Sequence, residues 1–170
     1  MTPRQETIFK WSRYALATLL FCVLQGLVFQ RLQLWGVFPF VYPVLAAVLA
    51  SLEGPLNGTV YALVLGILCD LTVPSPIPCF YTLVFPLAAL CAAFLSQGVL
   101  SSGFLSALLT SAAAFLLTDG AHMLLLAARG KAAWSAAAST CGRELLLSLP
   151  LVLPVYFLFR AICRKCREND

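Results

Sequence analysis

Thr118, Asp119 and His122 are the side chains in this sequence whose types and spacing come nearest to chemistry. Asp119 and His122 stand three residues apart and Thr118 and His122 four, so on a helix each pair can meet on one face. An acid beside the single histidine could relay protons through a membrane interior. Together with Asp70, the same groups offer donors for a divalent metal, but at a spacing that matches no familiar site. No serine or cysteine stands beside a base as an activated nucleophile, and the serines fall in packing stretches such as Ser111-Ala112-Ala113-Ala114. The expectation is therefore no catalytic residue, no metal and no cofactor.

Asp70 and Asp119 bracket an interval, 71–118, without any Asp, Glu, Lys, Arg or His. The whole chain of 170 residues is 61% hydrophobic and 11% charged, with a mean hydropathy of +0.93. Soluble domains carry about 25% charged residues, so this is the composition of a polytopic membrane protein. The net charge of +4 comes from bases at the two ends and in one loop, without the aromatic interleaving of a nucleic-acid surface. Arg160, Arg164, Lys165 and Arg167 make anionic lipid headgroups a candidate partner, with a stop-transfer anchor as the favoured reading of the same bases. The seven cysteines are scattered. Cys22, Cys69, Cys79 and Cys91 read as small hydrophobes, and the Cys163–Cys166 pair lacks nearby partners for a zinc site.

Six apolar segments can be drawn, at about 14–30, 35–52, 57–73, 79–95, 100–126 and 145–163. Runs of this length in hydrocarbon form helices, because each backbone group must find its partner internally. The breaks have local causes: Arg31 and Gln33; Glu53-Gly54-Pro55; the prolines 74, 76 and 78; Gln97, Gly98, Ser101, Ser102 and Gly103; and Arg129, Gly130 and Lys131. Pro86, Pro150 and Pro154 predict bends inside their spans, and the small residues up to Thr140 a short interfacial helix. Segment 14–29 reads as a retained signal anchor, since no small-x-small cleavage site precedes Arg31. The expected organisation is a basic cytoplasmic N-terminus (1–13), an all-α bundle of about six transmembrane helices (14–163) and a basic cytoplasmic tail (164–170). Arg129, Lys131 and Arg143 then lie outside, against the charge rule; a re-entrant segment at Pro39 and Pro43 is the alternative.

Gly54, Gly58, Ala62 and Gly66 recur every four residues before Asp70, and Gly103, Ala107 and Ser111 form a second ladder. Such stripes let helix backbones approach closely. They serve packing inside the bundle or a face kept for a partner protein, and spacing does not separate the two. Asp70 reads equally as a cap locking the proline-rich turn and as a ligand-binding acid. If it converges with Thr118, Asp119 and His122, the four form an outward polar pocket.

At Gly66-Ile67-Leu68-Cys69-Asp70-Leu71 the chain resembles the MreD family of bacterial rod shape-determining membrane proteins. Gly66 and Asp70 match the family's Gly-Leu-x-x-Asp-like signature, with Ile67 for the common Leu, and Asn57-Gly58 matches the start of the same helix. The chain departs from the family where Pro74, Pro76 and Pro78 replace Gly-rich sequence. The resemblance implies a non-enzymatic component of the elongation complex in the bacterial cell membrane, which organises lateral peptidoglycan synthesis and rod shape. It implies an MreC-like partner and, indirectly, MreB and the peptidoglycan glycosyltransferase and transpeptidase pair. The family is similar in architecture to the substrate-binding component of energy-coupling factor transporters. The alternative is therefore a vitamin-binding component using Asp70, Asp119 and His122, although the Ala-x-x-x-Ala coupling signature is not visible in the first span.

Overall fold

The computed structural model describes residues 3–31, 35–74, 77–98, 103–130 and 134–167. Gln33, Pro76, Ser101, Ser102 and Lys131 lie outside that set, as do the side chains of Cys166 and Arg167. The chain is an all-α polytopic membrane protein. Its helices are α1 (Pro3–Leu24, continued by a π-helical turn at Gln25–Phe29), α2 (Tyr42–Glu53), α3 (Pro55–Thr72), α4 (Phe80–Gly98), α5 (Phe104–Ala128), α6 (Trp134–Ser148) and α7 (Val152–Arg167). Among the described residues, five stretches are long and apolar enough to cross a membrane: Thr7–Phe29, Pro55–Thr72, Phe80–Gln97, Phe104–Ala128 and Ala137–Lys165.

The second apolar segment is built differently from the helix expected over 35–52. Residues 38–41 are irregular and the helix starts at Tyr42, with Pro43 in its first turn, where a missing N–H costs little. The 12 residues of α2 rise only about 18 Å, well short of a hydrocarbon core of about 30 Å. The non-helical residues before it complete the distance. Exposed backbone at that depth is tolerated only where protein surrounds it. Here the Gln25 side chain, 1% exposed, donates to the Pro39 carbonyl and accepts from the Val41 N–H, each at 2.9 Å. Ser148 accepts the Phe40 N–H at 2.9 Å. Residues 42–50 are all buried, and α2 forms the central column against α3, α4, α5 and α7.

The chain direction follows from contacts at the two ends. At the basal end, Lys10 pairs with Glu53, which also accepts from Tyr14 Oη at 2.7 Å, and Gln97 of α4 reaches Gly54. The start of α5 and the end of α7 meet Ser51 and Leu52 there. At the distal end, Tyr42 donates to Thr72 at 3.2 Å, and the Phe80 and His122 rings lie 5.5 Å apart. The start of α1 and the end of α7 thus share one end of the bundle.

The last crossing is longer than the segment drawn at 145–163. Helix begins at Trp134, because the alanine-rich stretch expected as a separate interfacial helix runs on into α6. Pro150 breaks it into a 3-10 turn at Leu149–Leu151 before α7. Pro86 sits within an unbroken α4, and Pro154 lies in the first turn of α7, where a missing donor costs little.

Candidate functional site

The α3–α4 contact turns the Gly66-x-x-x-Asp70 motif into a mechanical device. A Cβ on Gly66 would lie 2.6 Å from the Tyr81 carbonyl oxygen and 2.8 Å from the Thr82 Cα. Glycine therefore lets α3 come against the backbone of the first turn of α4. One turn further on, Asp70 accepts the Tyr81 N–H at 3.1 Å, the Thr82 N–H at 2.9 Å and the Thr82 hydroxyl at 2.6 Å. These amides have no partner within their own helix. A carboxylate there also complements the positive end of the helix dipole. Glycine sets the distance and aspartate closes the clamp.

The rest of the α3 ladder is spent inside the chain as well. A Cβ on Gly58 would meet Ala50 Cα at 2.5 Å, against the backbone of α2, and Ala62 is fully buried. Gly54 turns the corner between α2 and α3 with φ +88, a left-handed value that favours glycine. On α5, Ala107 and Ser111 are buried and Gly103 holds the N-cap position. For Gly58, Ala62 and Gly66 the choice between internal packing and a partner face falls to internal packing.

The distal polar residues gather at one end but do not form a four-residue pocket. Asp70 has both carboxylate oxygens committed to α4. Thr118 is buried and donates to Ala114 of its own helix at 2.8 Å, and among the described residues it makes no hydrogen bond to His122. Asp119 instead accepts from Cys141 Sγ of α6 at 2.9 Å. His122 and Glu144 lie within electrostatic range of Asp119, and Tyr81 lies within range of Asp70, Asp119 and Glu144. Among the described residues no three His, Cys, Asp or Glu side chains are arranged to hold a metal ion.

Several residues that hold the structure together were not singled out from the sequence. Gln25 and Ser148 carry the broken second crossing, and Cys141 and Glu144 complete the surroundings of Asp119. Gln25 had a legible signal: it stands in an apolar run, and the Pro39–Pro43 segment needed partners for its backbone. Thr18 donates to the Tyr14 carbonyl at 2.7 Å, which leaves its oxygen to accept from the buried Tyr61 hydroxyl. That pair lines an otherwise apolar groove of about 420 Å³ between α1 and α3, with Trp11, Cys22, Val60 and Val64.

No family model, curated protein or solved structure matches this chain.

Proposed function

We propose that the chain is a non-enzymatic scaffold of the MreD kind, which holds an MreC-like partner in the bacterial cell membrane and so organises lateral wall synthesis. The observation that carries this reading is the clamp itself. Gly66 and Asp70, two of the residues that carry the resemblance, act together to fix one helix against another. Other internal polar groups do similar work: Gln25 braces the second crossing and Glu53 ties α2 to α1. In this reading both tails face the cytoplasm, in keeping with the bases Lys10, Arg13, Arg160 and Arg164 at the basal end. Reporter fusions on opposite sides of the membrane would refute that orientation.

The test is depletion in a rod-shaped host, with recovery of the partner on an affinity-tagged chain. Rounded cells with misplaced wall synthesis and a co-purifying MreC-like protein are the expected outcome. A purified chain that turned over a substrate would end the non-enzymatic reading. Gly58→Leu and Gly66→Leu damage the fold before they report on a partner, so partner binding is to be read in variants that remain folded.

A second reading, solute binding as in an energy-coupling factor transporter, draws on one observation: Cys141 donates to Asp119 at the distal end, with His122 and Glu144 within electrostatic range of that acid. It requires that some member of a vitamin panel stabilise the chain, and that Asp119→Asn abolish the effect. Normal cell shape with a vitamin requirement on depletion would favour it.

A further inference from the structure

We propose that the basal end holds the phosphate of an anionic lipid in a pocket between the end of α2, the start of α5 and α7. The proposal needs only that the chain sit in a bilayer, and does not rest on the scaffold reading. The pocket, of about 230 Å³, is lined by Ser51, Gly103, Ser106, Tyr156, Arg160 and Arg164 among others.

Three features make it a site for a tetrahedral anion. The first is the start of α5, a helix of 25 residues whose first amides have no acceptor within the helix. Gly103 at its N-cap supplies no side-chain oxygen to them, so they and the helix dipole favour an anion. The second is Ser106, which lines the pocket, is 3% exposed and has no partner for its hydroxyl among the described residues. A buried hydroxyl without a partner is costly, and a phosphate oxygen would satisfy it. Ser51 cannot take that role as a donor, because its hydroxyl proton goes to the Val48 carbonyl at 2.8 Å.

The third feature is positive charge. Arg160 and Arg164 stand one helical turn apart on α7, with the Arg160 guanidinium 5.6 Å from the centroid of the Tyr156 ring. Glu53, which interacts with Cys163 at the pocket edge, is paired with Lys10.

The same anion chemistry could be supplied by free phosphate, but the surroundings favour a lipid. Arg160 and Arg164 also line an adjoining groove with Phe157, Ala161 and Lys165 on the outer face of α7. Phe157 is exposed there and offers an apolar surface to an acyl chain directly below the headgroup. Clustered bases beside a span gain from anionic lipids in just this position.

The test uses the full chain in an uncharged detergent, titrated with phosphatidylglycerol, phosphatidylcholine or inorganic phosphate and followed by thermal unfolding and native mass spectrometry. Phosphatidylglycerol is expected to raise the unfolding temperature and to remain bound as a single lipid, with phosphatidylcholine much weaker. Arg160→Gln and Arg164→Gln should each weaken its binding by about fivefold. Ser106→Ala, which keeps a good helix former, should also weaken it without lowering the unfolding temperature of the lipid-free chain. Arg13→Gln removes the same charge from the same end, outside the pocket, and should leave binding unchanged. An equal loss in Arg13→Gln, no effect of the three pocket variants, or no preference for phosphatidylglycerol would overturn the site. Stabilisation by inorganic phosphate alone would overturn the lipid as its occupant.

Discussion

Helices α3 and α5–α6 both carry glycine within helical structure, and the two regions use it in opposite ways. On α3, a Cβ at Gly58 or Gly66 would run into the backbone of a neighbouring helix. On α5 and α6, a Cβ at Gly120 or Gly142 would meet nothing within 4 Å. The first pair is a condition of the fold, whereas the second costs helix stability without letting any other part of the chain come closer. Spacing by fours does not itself reveal a contact; what matters is whether backbone stands opposite.

The largest effect should come from closing the α3 side of this comparison. Gly66→Leu places a side chain where the Tyr81 carbonyl and Thr82 Cα already are, and neither backbone can move without opening the Asp70 cap. Overpacking commonly costs about 1–3 kcal/mol and sometimes more, and here we expect at least the upper end. Gly58→Leu against Ala50 should behave similarly. Thermal unfolding and monodispersity in detergent report both, and an unchanged melting temperature would refute the close approach.

Asp70→Ala removes the other half of the clamp without a clash. Three hydrogen bonds to a charged acceptor disappear, and the expected cost is about 3 kcal/mol. Asp70→Asn keeps an acceptor oxygen and should lose about half of that. If Asp70 were instead a ligand-binding acid, stability would barely change and ligand-dependent stabilisation would vanish.

Next in size is Gln25→Leu, which preserves volume and apolar character in a membrane but strands the Pro39 carbonyl and the Val41 N–H. Each buried orphan group costs about 1–3 kcal/mol, with water entry reducing the loss, so about 2 kcal/mol is expected. Hydrogen exchange should rise first at Phe40 and Val41. Uniform destabilisation without that local signature would refute the bracing role.

These residues also mark what the sequence could and could not convey. Membrane class, helical content and the breaks at Gly54, Pro74 and Arg129 were legible because charge depletion and helix-breaking residues act locally. The broken second crossing was half legible: Pro39 and Pro43 marked the segment as the re-entrant alternative to a plain helix, but its partners Gln25 and Ser148 come from distant positions. Asp70 was visible as an acid at the end of a helix, in a position to cap. Its partners, the Tyr81 and Thr82 amides, depend on how α4 docks and carry no sequence signature of their own. For Asp119, the i+3 and i+4 rule pointed along α5 to His122, whereas α6 supplied Cys141 by tertiary packing that spacing does not encode.

The smallest expected effect has the opposite sign and isolates the comparison to one residue type. Gly120→Ala adds a methyl group into open space and removes the entropic penalty of glycine in a helix, a gain of up to about 1 kcal/mol. Gly66→Ala adds the same methyl group and should destabilise, because the nearest atoms belong to backbone. A rise in melting temperature for one and a fall for the other would establish that the two regions differ in what faces the glycine. Should Gly120→Ala fold normally alone but lose the co-purifying partner, the open face of α5 would be an intermolecular contact. The small-residue surface that α3 spends inside the bundle would then have its outward counterpart on α5.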